Sequence, residues 1–163
     1  MVNNQEYNYK GRDFVNKISC FPRGLLVTTH LSGQHQFRKD FDKLQEIKSI
    51  NRRFIRRLEK RCNVHQKRRL ERFIVTETTK QRNHCHYILE TPIHLSRSQF
   101  ITNIILSHRE TKGFGSIDVR NVRYKSGIID YLCKELQPDK DSIEWENCYF
   151  RDSHNNFQLQ KVV

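Results

Sequence analysis

From Arg38 to Cys62 the chain carries apolar residues at the spacing of one helix face and cations on the other. Turned by roughly 100° per residue, Phe41, Leu44, Ile47, Phe54, Ile55 and Leu58 fall in one arc, and Arg52, Arg53, Arg56, Arg57 and Lys60 in the opposite one. A long helix with one apolar side needs a second layer to bury it against. The segments around it supply strands. Gly24 to Leu31 is a short β-branched run closed by the turn signal Ser32-Gly33, and Leu70 to Thr78 and His84 to Glu90 flank the polar turn Lys80-Gln81-Arg82-Asn83. Thr91-Pro92 ends the third strand, because proline does not continue a central ladder.

Downstream, Ser96 is placed to cap a second helix to about His108, with Phe100, Ile104 and Ile105 on its buried side. Lys112 to Gly115 reads as a loop. Ile117 to Val122 alternates apolar and polar residues, as a half-buried strand does. A third helix runs from a cap at Ser126 to about Leu136 and stops before Pro138; Ile143-Glu144-Trp145 offers one more strand. The expected architecture is α+β: an antiparallel sheet of about five strands with helices packed on it. Its order is a ferredoxin-like or RRM-like βαββαβ core plus a further helix. One domain is expected over residues 1–163, with 1–23 as a possible N-terminal arm.

Charge limits the partners. The 163 residues hold 30 Lys+Arg against 18 Asp+Glu, a net +12, which suggests a polyanionic partner. Lys67, Arg68, Arg69 and Arg72 extend the basic region beyond the helix. A charge run is usually a solvated face. Here acidic residues are few along the stripe, which favours contact with phosphates, positioning a strand without reading its sequence. Five scattered cysteines show no paired framework and suit a reducing cytoplasm. No apolar run nears the roughly 18 residues of a membrane span, and the first residues lack a signal-peptide pattern.

The chemistry-bearing stretch is His84-Cys85-His86. Alternation along a strand turns both imidazoles to one face, roughly 7 Å apart, and Cys85 to the other. Two imidazoles so placed can share a metal ion. If the second and third strands pair as a hairpin, Glu77 joins them. A mixed imidazole and carboxylate set suits Mg²⁺ or Mn²⁺, whereas imidazole alone leans to Zn²⁺. In the third helix Ile128, Ile129, Leu132, Cys133 and Leu136 cover one apolar arc. Tyr131 lies outside that arc with Lys134 beside it. Alone, this is an exposed tyrosine near a lysine that Asp130 can pair.

Together these motifs resemble the HUH single-strand endonucleases, and among them the rolling-circle replication initiators, or Rep proteins. His84-Cys85-His86 matches the family's histidine motif, Tyr131-Leu132-Cys133-Lys134 its tyrosine motif, and Leu25-Leu26-Val27-Thr28-Thr29 loosely its first motif. Order and spacing agree over roughly residues 24 to 137. The histidine motif's middle residue is usually apolar; Cys85 serves as a small apolar residue. The resemblance implies a metal-dependent nickase and strand transferase acting on single-stranded DNA at a replication origin, hairpin origins included, of a viral, phage or plasmid replicon. Tyr131 would be the nucleophile of a 5′-phosphotyrosine link, with Lys134 assisting, and the acid after that lysine, Glu135, would be the alternative to Glu77 as third metal ligand. A host helicase and polymerase are then natural partners, since the chain looks too short to hold a motor domain. A lone tyrosine in that motif suggests a one-tyrosine enzyme, because Gly127 and Glu135 occupy the positions one turn away. Tyr124 and Phe114 are candidates to stack on bases.

Three other readings stand beside it. A single-tyrosine transposase of the same superfamily would more often carry glutamine in place of Lys134. A non-catalytic RRM-like module would need aromatic residues on the central strands, where Tyr87 is the one present. A structural zinc site could use Cys62, His65, His84 and His86.

Overall fold

The computed structural model describes residues 23–33, 41–64, 69–78, 83–122, 144 and 146–149. The elements, in order, are β1 (Gly24–Leu31), α1 (Phe41–Arg61), β2 (Arg72–Thr78), β3 (Asn83–Glu90), α2 (Arg97–Arg109) and β4 (Phe114–Asn121). The chain is therefore α+β. β1 pairs antiparallel with β3 and β4, and β3 pairs antiparallel with β2, which gives the sheet order β2-β3-β1-β4.

Alternation sorts each strand's side chains between two faces. Leu25, Val27, Thr29 and Leu31 of β1, Ile74 and Thr76 of β2, and Cys85, Tyr87 and Leu89 of β3 share one face. Ile47, Phe54 and Leu58 of α1 and Phe100 and Ile104 of α2 bury against the same apolar cluster. Phe54 anchors the layer, edge-on to Tyr87 at 5.3 Å and to Phe114 at 5.5 Å. Full burial of each large apolar side chain contributes about 1.5–3 kcal/mol. This layer fixes the register of β1 and β3, because a one-residue slip would carry the whole apolar set to the other face.

Ser96 caps α2 in a capping box: its Oγ accepts from Gln99 N, and Gln99 Oε1 accepts from Ser96 N. β4 begins at Phe114, three residues before the alternating run that marks it in the sequence. Gly113, at φ +106°, makes the preceding turn. Phe114 then packs against Phe54 and lies flat on His108, so its ring belongs to the helix-side layer.

Four strands are found among the described residues, against about five expected. The tail that reads as a fifth strand around 143–145 touches the β2 edge in two places. Glu144 N donates to Ile74 O, and Arg72 and Tyr149 exchange backbone hydrogen bonds. Between these contacts a turn closes, with Asn147 N and Cys148 N both donating to Glu144 O, and interrupts the ladder. The Glu144 side chain enters the core, where Asn51 Nδ2 and Thr76 Oγ1 donate to Oε1 at 2.6 Å each and Asn147 Nδ2 to Oε2 at 2.8 Å. Burial pushes its carboxyl above the usual range.

His108 gives the fold a pH dependence. It is buried against Phe114, with Nε2 2.7 Å from Thr29 Oγ1. Burial, with Arg109 nearby, lowers its pKa to about 4. The unfolded chain has it near 6.5, so the folded state binds fewer protons and stability falls as pH drops from about 6.5 through about 4. Urea unfolding midpoints at pH 7 and pH 4.5 should show His108→Gln losing less stability over this window than wild type, by an amount on the order of 1–3 kcal/mol.

Candidate metal centre

β3 lies inside the sheet, with β1 on one side and β2 on the other. On the sheet face away from both helices, the antiparallel register sets Glu77 directly across from His84 and Val75 across from His86. The hairpin thus brings the carboxylate to the two imidazoles. Glu77 Oε2 lies 2.6 Å from His84 Nε2 and 3.2 Å from His86 Nε2. The imidazole planes stand at 89° with centroids 4.8 Å apart. One ligand atom from each of Glu77, His84 and His86 falls within 4.8 Å of the others, and no other group of three or more potential ligands is found among the described residues.

The donor set fits a divalent cation: two borderline nitrogens and one hard oxygen converge from neighbouring strands. The side chains of His84 and Glu77 are 15% and 12% exposed and that of His86 5%, so the cluster is sheltered without being fully sealed from solvent. Burial holds the His86 pKa below its ordinary value, against the opposing hydrogen bond to Glu77. At neutral pH this imidazole is uncharged, the form that ligates a metal.

β1 supplies a hydroxyl behind one of the imidazoles. Thr28, the register partner of His86, places Oγ1 3.0 Å from His86 Nδ1. A hydroxyl at Nδ1 fixes the ring and leaves Nε2 to face the cluster. The run Leu25 to Thr29 hints at this role in the sequence, but only strand pairing identifies Thr28 as the residue in contact. On the reverse face, Cys85 is fully buried, 3.4 Å from Asn51 Nδ2 and 3.6 Å from Thr76 Oγ1. Burial pushes its thiol up to about 12, so it is no metal ligand at neutral pH.

The remaining candidate residues divide by location. Tyr131, Lys134 and Glu135, the 126–136 helix, Tyr124, Lys67, Arg68, His65 and residues 1–22 of the arm lie outside the described residues. The zinc alternative does not assemble. Cys62 is buried in the helix-side core and its thiol is raised to about 11, whereas His84 and His86 are on the opposite sheet face. The Arg52, Arg53, Arg56, Arg57 and Lys60 stripe is exposed on the side of α1 away from the sheet, so the sheet separates it from the histidines; Arg69 is exposed as well. Acidic partners are less scarce than the local sequence suggests: Arg52 pairs with Glu146 and Arg57 with Glu110, each at 3.7 Å. Among the described residues no helix is long and apolar enough to cross a membrane.

Comparison with protein-family models, with curated proteins and with solved structures finds no match to this chain.

Proposed function

We propose that this protein is a metal-dependent single-strand DNA endonuclease and strand transferase of the HUH type, initiating rolling-circle replication of a small replicon. The observation that carries this reading is the convergence of Glu77, His84 and His86 on one face of the sheet. An α+β chain with an antiparallel sheet, in the order β2-β3-β1-β4 and with helices after β1 and β3, supports the reading.

Glu77, His84 and His86 would hold Mg²⁺ or Mn²⁺, which supplies Lewis-acid polarisation of a scissile phosphate. The chain's own groups do the rest. Thr28 keeps the His86 ring in its ligating orientation. Tyr131 Oη attacks phosphorus as the P–O3′ bond breaks, so that the 5′ side becomes a phosphotyrosine and the 3′ side a free hydroxyl. The phenolic proton passes to solvent, and Lys134 orients the phosphate or protonates the departing O3′. Arg53, Arg56 and Lys60 contact phosphates of a stretch of nucleic acid on the far side of the sheet from the cut.

A non-catalytic RRM-like binder is the second reading. Tyr87, the aromatic it would use, is fully buried on the helix side, so it is not available to stack on a base at the face that carries the histidines.

The test is an adduct assay with a labelled pool of random-sequence single-stranded oligonucleotides and Mn²⁺. Wild type should give a covalent protein–DNA band on a denaturing gel. Tyr131→Phe and EDTA should each reduce it below detection. Cleavage that persists in Tyr131→Phe would remove Tyr131 as nucleophile, and binding without an adduct would favour the non-catalytic module.

A further inference from the structure

Sequence alone gives His30 no task. In the sheet it is the register partner of His84, on the face shared with Glu77 and His86, and the His30 and His84 rings lie 5.6 Å apart at a tilt of 37°. It is only partly buried, so a ligand can reach it. It is not one of the three groups whose donor atoms converge, so it stands beside the ligand set.

The strand on its other side is built irregularly at this point. Thr29 pairs with Ile117 and Leu31 with Phe114, so Gly115 and Ser116 together oppose the single residue His30. A bulge of this kind re-aims side chains, and bulges recur beside active sites. Here it brings Ser116 Oγ within 3.0 Å of His30 Nδ1. His86 is held in the same manner, its Nδ1 3.0 Å from Thr28 Oγ1. Two imidazoles on one face are thus each contacted at Nδ1 by a neighbouring strand's hydroxyl, which sets the ring and turns Nε2 to the opposite side.

We propose that His30 contacts the substrate: with Ser116 Oγ–H donating to Nδ1, His30 Nε2–H donates to a non-bridging oxygen of the DNA phosphate cut at the Glu77, His84, His86 cluster. This rests on the nuclease reading. In that reaction the Tyr131 Oη–P bond forms, the P–O3′ bond breaks, the phenolic proton leaves to solvent and O3′ departs as a hydroxyl. Negative charge rearranges over the non-bridging oxygens during the exchange. A donor held beside the cluster in this way would stabilise the transition state more than the bound substrate. His30 therefore acts on the rate of the step, and the three ligands act on cation affinity.

The experiment separates these roles in wild type, His30→Ala, His30→Gln, Ser116→Ala and His84→Ala. Mn²⁺ binding to each protein is measured by calorimetry without DNA. Adduct formation is timed with the saturating random-sequence single-stranded pool. His30→Ala should keep Mn²⁺ affinity within about threefold of wild type while its adduct rate falls about 10²-fold. His30→Gln, which restores an N–H donor, should recover part of that loss, and Ser116→Ala should lose about tenfold because the ring is no longer fixed. His84→Ala should lose Mn²⁺ binding itself. An unchanged His30→Ala rate would overturn the assignment, and so would a His30→Ala protein that loses Mn²⁺ as His84→Ala does. If wild type forms no adduct, the nuclease reading fails and this assignment with it. An active wild type with an equally active His30→Ala variant refutes the role of His30 alone.

Discussion

His86→Ala is expected to leave a folded protein that no longer binds Mn²⁺ measurably and forms adduct at least about 10³-fold more slowly than wild type. Three features set this size. The imidazole is almost fully buried, so no other side chain can swing in to replace it. Its Nε2 and that of His84 both aim at Glu77 Oε2. Removing it also strands Thr28 Oγ1, which then has no ring to fix. Thr28→Val, which removes the hydroxyl and keeps the shape, should weaken Mn²⁺ binding by about 10–100-fold, the usual size of a second-shell loss. Calorimetry for affinity and circular dichroism for folding distinguish a lost ligand from a lost fold. A His86→Ala protein that binds Mn²⁺ like wild type would show that these residues do not form the metal site.

The second large effect lies in the core. Glu144→Ala should destabilise the protein by about 3–5 kcal/mol, read as a fall in the urea midpoint with little change in slope. The Glu144 side chain accepts from three side chains, Asn51, Thr76 and Asn147, where water has little access. Its loss leaves those donors unmatched and opens a void among them. Glu144→Gln keeps the shape and one oxygen acceptor but sets an amide N–H₂ against Asn51 and Thr76 or against Asn147. It should cost less, about 1–2 kcal/mol. Equal costs for the two variants would mean that hydrogen bonding to the carboxylate is not what holds this part of the chain.

Local periodicity revealed most of the elements. The arcs of α1, the Ser96 cap and the three strands up to Glu90 fall where side-chain spacing puts them, because each signal is contained in a few successive residues. The Glu77 to His84 pairing was also accessible, since a short polar turn between two strands leaves few registers. What escaped depends on residues far apart in the chain. Thr28 and His30 acquire neighbours only when β1 inserts between β3 and β4, 58 residues separating Thr28 from His86. Phe114 starts its strand early because Phe54 and His108 bury its ring, which no local alternation reports. Glu144 reads as an ordinary surface acid until Asn51, Thr76 and Asn147 are seen around it. The arginine stripe was visible, but not that the sheet stands between it and the histidines.

The position of β3 between two partners has a bearing on how a cation is selected. Both histidines of the cluster sit on a strand laddered on each side, and Glu77 is on the strand hydrogen-bonded next to it. The backbone that carries the ligands is therefore organised by the apolar layer behind it, before any ion arrives. Little of the binding free energy is consumed in ordering the chain, in contrast to small zinc modules that fold only on the metal. Such a stiff frame discriminates by size and bond length, since it cannot shrink or spread at low cost to suit each ion. A cation held there would come and go while the protein that receives it keeps its shape.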